Sequence, residues 1–557
     1  MHRRRSRRWR LFTRALPLAV LAIAALALGI YEGGAPERAR RQLLESYVGA
    51  WRHGDFRQMY ARLTPSSRHR ISEAQFAAKL NRDEEVATAT SLRATRLEAI
   101  AGEQARVEFA IQTRVFGTLH EVLRLPLAGN GASTRIEFTR QILFPGLDPG
   151  ETLTRDAFLG PRGAILAADG TPLAQGPNRT SPIPGVADAI VGTLGPIPTD
   201  QRAAYAAAGY PANARVGQDG LELIFDRQLA GEPGGTLLAG HRVLASRLPS
   251  PGTTVKTTIV PRLEQAAIDA IGSSYAGLTV LNPRTGGLEA AAGIAFTDAQ
   301  PPGSTMKIIT ATAALAAGIV TLDTQFPVES SVDLDGFMMQ NSAGEACGGS
   351  LLDAFAESCD TVFAPVGAEL GARRLVSMAR RFGFDEPTGI PTAIESTIPS
   401  TARIGDALAV GSSAIGQGQV EASTLEMADV AATIADGGVR PLPTLLAGSK
   451  PRWVHVTSPK VAGEVQRMME AVISFGTGTA SQIPGITVAG KTGTAELGDT
   501  ANQKNDKKLT DGWFVAYAPA GAPKVAAAAL FPNAGYGGDI AAPAVRDVLE
   551  AALGLTG

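Results

Sequence analysis

Two side chains three residues apart, Ser304 and Lys307, have the types and spacing that nucleophilic acyl transfer needs. A serine hydroxyl is a poor nucleophile until another group takes its proton. Burial lowers the pKa of a lysine and lets its neutral amine act as that base. The apolar run over residues 308–319 predicts a buried helix, which would place both side chains on one face at its start. Taken alone, the pair also fits a capping serine beside a solvated lysine.

A second candidate group is the Ser358-Cys359-Asp360 stretch. Apolar residues at helical spacing precede and follow it, which predicts a helix–turn–helix with Ser358 and Asp360 on one side. There Ser358 would relay a proton between Lys307 and a leaving amine. By itself this serine is equally compatible with an exposed helix cap.

The third group is Lys491-Thr492-Gly493-Thr494, which follows an apolar stretch and is typical of a strand. The strand period of two puts Lys491 and Gly493 on one face, and Thr492 and Thr494 on the other. Lys491 would supply a positive charge, and Gly493 would let substrate backbone approach. The N–H groups of Thr494 and Ser304 would form an oxyanion hole. A polar edge strand is the alternative, but the order and spacing of the three groups favour catalysis.

The N-terminal end predicts a membrane segment. Seven arginines lie within the first fourteen residues, and an apolar run follows over residues 15–31. Arginine is costly to move across a bilayer, so residues 1–14 should stay in the cytoplasm. Seventeen residues are at the short limit for a membrane-spanning helix and long for the apolar part of a cleaved signal peptide; we favour an uncleaved single-pass anchor. Everything after the anchor would then lie on the extracytoplasmic side.

Charge and composition exclude several classes of function. Beyond the basic tail the chain has 45 basic residues (52 minus the seven of the tail) against 53 acidic ones, which argues against nucleic acid as a partner. The six histidines form no metal-ligand spacing and no glycine-rich loop with a lysine is present, so we expect neither metal nor cofactor. Cys347 and Cys359 would be outside the cytoplasm, where the sequence leaves a disulfide and two free thiols equally open.

The length predicts several domains of mixed α+β class after the anchor. Residues 36–148 begin with a helical pattern and continue with alternating strands, as in a small cone-shaped module. Residues 155–248 form a second module, in which a helix is expected from Gly220 to Leu229. Residues 252–557 hold the three candidate groups. An antiparallel sheet flanked by helices is expected there.

The three motifs together resemble those of class B penicillin-binding proteins, the monofunctional peptidoglycan D,D-transpeptidases. The resemblance covers nearly everything after the membrane segment and includes 512–517, Gly-Trp-Phe-Val-Ala-Tyr. It implies a β-lactamase-like transpeptidase domain over 252–557 and a pedestal, or dimerisation, domain over 155–248. The first module, 36–148, resembles the nuclear-transport-factor-2 (NTF2) fold.

This resemblance implies a role for each motif. Ser304 would be acylated by the D-Ala-D-Ala end of a stem peptide, and also by β-lactams. Lys307 would be the base and Ser358 the proton relay, while Lys491 and Thr492, with help from Thr494, would hold the substrate carboxylate. Because no glycosyltransferase-like domain precedes the pedestal, a partner enzyme would polymerise the glycan.

One motif residue departs from the family, because Asp360 stands where asparagine is usual. An ionised carboxylate cannot donate a hydrogen bond to substrate, and it would raise the pKa of Lys307 if it bound that lysine. We therefore expect altered substrate or β-lactam preference. A β-lactamase is a rival, but its candidate deacylating base, Glu395, has no supporting asparagine nearby. A non-catalytic β-lactam sensor or wall-binding scaffold is the other rival.

Overall fold

The computed structural model describes residues 35–101, 103–496 and 510–555. The predicted basic tail (1–14) and membrane anchor (15–31) lie outside these residues. Among the described residues, no helix is both long and apolar enough to cross a bilayer. The chain divides into two compact units. One consists of the described residues up to Arg162 with Pro196–Val216 and Ala230–Gly252. The other consists of Gly163–Gly195, Gly217–Leu229 and the described residues from Thr253 on.

Four helices precede an antiparallel sheet at the start of the first unit. The helices are α1 (Ala35–Arg52), α2 (Phe56–Ala61), α3 (Pro65–Arg70) and α4 (Glu73–Val86). The strands, which pair in chain order, are β1 (Ala89–Ala101), β2 (Gln104–Thr113), β3 (Gly117–Ala128) and β4 (Arg135–Ile136). Tyr47 and Trp51 of α1 are buried with Phe109 of β2, so the expected helix and alternating strand are confirmed.

Short elements make up the next hundred residues. They are β5 (Leu153–Phe158), β6 (Ile165–Leu166), β7 (Pro172–Ala174), α5 (Pro184–Ile190), β8 (Leu194–Pro196), α6 (Arg202–Ala208), β9 (Arg215–Gly217), α7 (Gly220–Ile224), α8 (Asp226–Ala230), β10 (Gly234–Ala239), β11 (Arg242–Arg247) and β12 (Val255–Lys256). The single helix expected from Gly220 to Leu229 is wrong, because the helix breaks at Phe225. The Asp226 carboxylate accepts a hydrogen bond from the Gly217 N–H at 2.8 Å, which ties the second short helix back to the strand before it.

The second unit contains a five-stranded antiparallel sheet in the order β14-β13-β23-β22-β21. Its strands are β13 (Gly277–Leu281), β14 (Leu288–Gly293), β21 (Ala489–Glu496), β22 (Thr510–Ala518) and β23 (Val525–Phe531). Every residue of β13 and β23 is buried, as strands covered on both faces require. The antiparallel sheet expected for this region is therefore confirmed.

Helices cover this sheet, and small β-ribbons connect some of them. The helices are α9 (Pro261–Ile271), α10 (Lys307–Ala316), α11 (Leu351–Ala356), α12 (Asp360–Leu370), α13 (Ala372–Phe382), α14 (Ala407–Ala414), α15 (Thr424–Ala435), α16 (Pro459–Ser474) and α17 (Gly537–Leu553). The ribbon strands are β15 (Gln325–Glu329), β16 (Ser331–Leu334), β17 (Phe337–Gln340), β18 (Cys347–Ser350), β19 (Val439–Pro441) and β20 (Trp453–His455). The first eight residues of α10 are all buried, so the chain behind Ser304 is a rigid part of the core.

Candidate active site

Ser304 lies in a tight 3-10 turn, Gly303–Met306, immediately before α10. The sequence predicts that the α-helix begins at Ser304. In the structure the α-helix begins one turn later, at Lys307. The Thr305 hydroxyl donates to the Pro302 carbonyl at 2.7 Å and fixes the turn. The Ser304 side chain stays partly exposed, whereas Lys307 is fully buried. Nucleophile and base therefore sit at the boundary between solvent and core.

Two glycines allow the backbone to pack closely behind Ser304. The Gly303 N–H donates to the Gly416 carbonyl at 3.0 Å. Gly416 has φ +75°, and a Cβ there would come 2.1 Å from the Gly303 oxygen. A Cβ on Gly303 would lie 2.9 Å from the backbone of Thr494. The Ser304 turn is thus held between the 416 turn and strand β21, which supports the predicted pairing of the Ser304 and Thr494 N–H groups.

Ser358 lies in the turn between α11 and α12, as the helix–turn–helix prediction requires. Its φ of +63° is in the left-handed region, which non-glycine residues rarely adopt and which is common at functional sites. The Lys307 Nζ donates to the Ser358 carbonyl at 2.6 Å and lies 3.3 Å from its hydroxyl. A disulfide joins Cys347 to Cys359, next to this turn, and resolves the alternative that the sequence left open.

Lys491 extends from β21 to the same serine. Its Nζ donates to the Ser358 hydroxyl at 2.8 Å and to the Thr492 carbonyl at 3.0 Å. The Thr492 hydroxyl turns to the other face and lies 2.5 Å from that of Thr477. The predicted alternation along the strand is confirmed. The Thr492 hydroxyl therefore lies on the opposite face of the strand from the Lys491 side chain. The contact predicted between Thr492 and the substrate carboxylate stays a prediction.

Both lysines are buried, and their surroundings set their charge. Burial lowers the pKa of Lys307, and the Asp360 carboxylate, 2.7 Å from its Nζ, opposes that shift. Burial, together with the nearby Lys307, holds the pKa of Lys491 well below its usual range. The ion pair anticipated between Lys307 and Asp360 is therefore present, and burial still outweighs it. A lysine with a lowered pKa is suited to accept a proton from a serine.

Two supporting residues could not be identified from the sequence. Thr477 follows α16 in a loop with no motif, and only the fold brings it to Thr492. Asn341 is buried and accepts a hydrogen bond from the Thr361 N–H at 2.9 Å, while its amide donates to the carbonyls of Glu329 and Glu345. Asn341 thereby links the first turn of α12 to the ribbon beside it.

One group of possible metal ligands lies close to the site. The donor atoms of Cys347, Glu357 and Cys359 lie within 4.8 Å of one another. The two sulfurs are joined in the disulfide, so neither can act as a thiolate ligand. This group therefore does not fit a metal ion.

Comparisons with known proteins agree with this geometry. Residues 276–550 match the family described as "Penicillin binding protein transpeptidase domain", and 168–256 match the "Penicillin-binding Protein dimerisation domain". The chain is 34% identical over 366 residues to peptidoglycan D,D-transpeptidase PbpA of Mycobacterium tuberculosis, covering 54% of this chain and 73% of that protein. It is 26% identical over 419 residues to peptidoglycan D,D-transpeptidase MrdA of Salmonella typhimurium, covering 62% and 67%.

Solved structures give the same result. The chain resembles the crystal structure of PBPA from M. tuberculosis, with a TM-score of 0.57 and 28% identity over 70% of this chain and 99% of that one. A penicillin G acyl-enzyme complex of that protein gives a TM-score of 0.58 with 29% identity, over 71% and 100%.

Proposed function

Because the chain belongs to the class B penicillin-binding proteins, we propose that it cross-links peptidoglycan stem peptides as a serine D,D-transpeptidase, with Ser304 as the nucleophile. The observation that carries the proposal is the meeting of two buried lysines at one hydroxyl. Lys307 lies 3.3 Å and Lys491 2.8 Å from the Ser358 oxygen. The supporting relatives are named D,D-transpeptidases, and a similar structure is a penicillin acyl-enzyme.

Acylation begins when the neutral Nζ of Lys307 takes the proton from the Ser304 hydroxyl. The serine oxygen attacks the carbonyl carbon of the penultimate D-Ala, and the negative oxygen that develops is stabilised by the N–H groups of Ser304 and Thr494. The Ser358 hydroxyl passes a proton from Lys307 to the leaving nitrogen, and D-Ala departs. Lys491 provides positive charge beside Ser358 for the substrate carboxylate.

Deacylation completes the cross-link. An amine of a neighbouring stem peptide attacks the acyl-enzyme carbonyl and loses its proton to the same lysine and serine relay, and Ser304 is regenerated. A β-lactam enters by the same first step. Its amide bond breaks without releasing a fragment, so the attached drug blocks the attacking amine.

Two further parts of the proposal rest on the sequence and the N-terminal unit. Residues 15–31 would anchor the chain in the cytoplasmic membrane and leave the transpeptidase domain outside. Four helices followed by a four-stranded antiparallel sheet support an NTF2-like module over residues 36–148. A separate glycan-polymerising enzyme would supply the strands that are cross-linked.

Fluorescent penicillin labelling of the full chain, followed over hours beside Ser304→Ala, tests the proposed function. Stable label in the parent and none in the variant is the expected result. Rapid loss of label with hydrolysis of the drug would identify a β-lactamase instead. A folded parent protein that takes no label would point to the scaffold alternative.

A further inference from the structure

A cavity of about 1000 Å³ lies in the second unit, away from the motif residues. One side is formed by α13, another by residues 386–389, and the rest largely by the segment 440–454 that includes the loop between β19 and β20. Ser304, Lys307, Ser358 and Lys491 are not among its lining residues. The proposed catalytic chemistry therefore does not account for this cavity.

The cavity is strongly basic. Six lining residues are cationic and one, Glu386, is acidic; the cations are Arg373, Arg380, Arg381, Arg440, Lys450 and Arg452. Two of the six are neutralised by neighbours. Arg440 is buried against Asp429, with Nε 2.5 Å from the carboxylate, and Arg380 pairs with Asp385 at 3.2 Å.

The other four cations remain uncompensated. Arg373, Arg381, Lys450 and Arg452 are exposed, and none pairs with an acidic residue anywhere in the described parts of the chain. They come from two separate elements that line the cavity, two from α13 and two from the loop. Against Glu386 they leave an excess of three positive charges, four minus one, within one concave space.

Stabilisation of helix α13 does not explain the presence of Arg373. Basic residues in the last turn of a helix, such as Arg381, interact favourably with the helix dipole. Arg373 lies in the first turn of α13, where a cation is unfavourable and where no acidic residue offsets it. The chain beyond residue 14 is mildly acidic, so this cluster does not reflect its general composition.

We propose that this cavity binds a soluble ligand that carries two or more phosphate groups. Arginine presents planar, paired N–H donors that match phosphate oxygens, and arginine supplies three of the four uncompensated charges. Like charges that line one cavity repel each other, and a bound anion relieves that repulsion. A concave space of this volume suits a soluble ligand better than the flat surface of a membrane.

Calorimetric titration of the full chain with inorganic tripolyphosphate and with a soluble glycerol-phosphate oligomer tests the proposal. We expect one saturable site for at least one probe, with a dissociation constant below about 1 mM at low salt. The probe that binds more tightly distinguishes a free oligophosphate from a phosphodiester polymer as the source. Binding of neither probe, or binding only to phosphatidylglycerol vesicles, would overturn the proposal.

A pair of matched double variants assigns the binding to the cavity. R373Q/R381Q removes two lining charges and should weaken binding at least about tenfold. R374Q/R467Q removes the same charge from exposed positions that do not line the cavity, and affinity should change less than about twofold. Equal loss in both variants would refute a specific site. Penicillin labelling should be the same in both, so failure here is distinguishable from failure of the proposed catalysis.

Discussion

Replacing Asp360 with asparagine removes the only carboxylate that forms an ion pair with Lys307 in the described structure, at 2.7 Å from Nζ. The carboxylate favours the charged lysine, whereas burial favours the neutral one. Without the negative charge, the pKa of Lys307 moves further down. More of the lysine is then neutral at physiological pH and able to accept the Ser304 proton.

The size of the effect follows from the charge that the substitution removes. Two opposite unit charges about 4 Å apart attract each other by about 1 kcal/mol in water and by about 4 kcal/mol at an effective dielectric constant of about 20. Asp360 is partly exposed, and an amide would still accept a hydrogen bond from protonated Lys307, so the carboxylate favours protonated Lys307 by about 1 to 2 kcal/mol more than an amide would. Since about 1.4 kcal/mol is a factor of ten, acylation of Asp360→Asn should be faster by about fivefold to thirtyfold where deprotonation limits the rate.

The dependence of the acylation rate on pH tests whether Asp360 acts through the charge of Lys307. Acylation by a fluorescent penicillin, measured by stopped flow across pH, rises as Lys307 loses its proton. In Asp360→Asn the rising part of the profile should move to lower pH, while the plateau at high pH, where both proteins have a neutral lysine, should differ much less. Glu357→Gln is the matched control, because Glu357 is exposed and forms no ion pair with Lys307 in the described structure.

An unchanged rate and profile in Asp360→Asn would refute the argument that Asp360 sets the charge of Lys307. A shift of the same size in Glu357→Gln would show instead a general effect of negative charge. If several β-lactams with different side chains were all accelerated equally, the expected change in drug preference would be wrong, although the effect on the base would stand.

Three other changes test the supporting structure. Lys491→Met should slow acylation by about 10²-fold or more, because it removes the buried cation beside the proton relay; a rate within threefold of the parent would contradict that role. Gly416→Ala should slow acylation by about 10²-fold, because the new Cβ would lie 2.1 Å from the Gly303 oxygen and displace the turn that carries Ser304. An unchanged acylation rate in stopped flow would contradict this and show that the turn adapts. Glu222→Gln should lower the free energy of unfolding in urea by about 3 to 5 kcal/mol, because it breaks a buried pair with Arg179 at 2.5 Å; a loss below about 1 kcal/mol would contradict this.

The catalytic motifs were readable from the sequence because local periodicity fixes much of their geometry. A helix brings residues three apart to one face, and a strand alternates its faces, so the relation of Ser304 to Lys307 and of Lys491 to Thr492 required no tertiary information. The ion pair of Lys307 with Asp360 joins two motifs that lie far apart in the chain, so periodicity does not predict it. The resemblance to the family, which brings the two motifs into one site and has asparagine where this chain has Asp360, suggested that contact.

Features that depend on long-range contacts were not readable. Thr477 reaches Thr492 only because the loop after α16 folds over β21, and no residue type or spacing announces this. The break between α7 and α8 depends on Asp226 bonding to the Gly217 backbone, a contact that overrides helical periodicity. The 3-10 turn at Ser304 likewise depends on Gly303 packing against the 416 turn.

The two lysines and Asp360 must be treated as one electrostatic unit. Lys307 and Lys491 share the Ser358 hydroxyl, and two cations this close in a dry site repel each other. Burial, and after it the repulsion from Lys307, lowers the pKa of Lys491, and the Asp360 carboxylate opposes that shift. A carboxylate at position 360 therefore helps to keep positive charge on both lysines, whereas a neutral side chain would favour the loss of one proton. The aspartate therefore opposes formation of the neutral Lys307 that acylation needs, although burial still holds the pKa values of both lysines below their usual range.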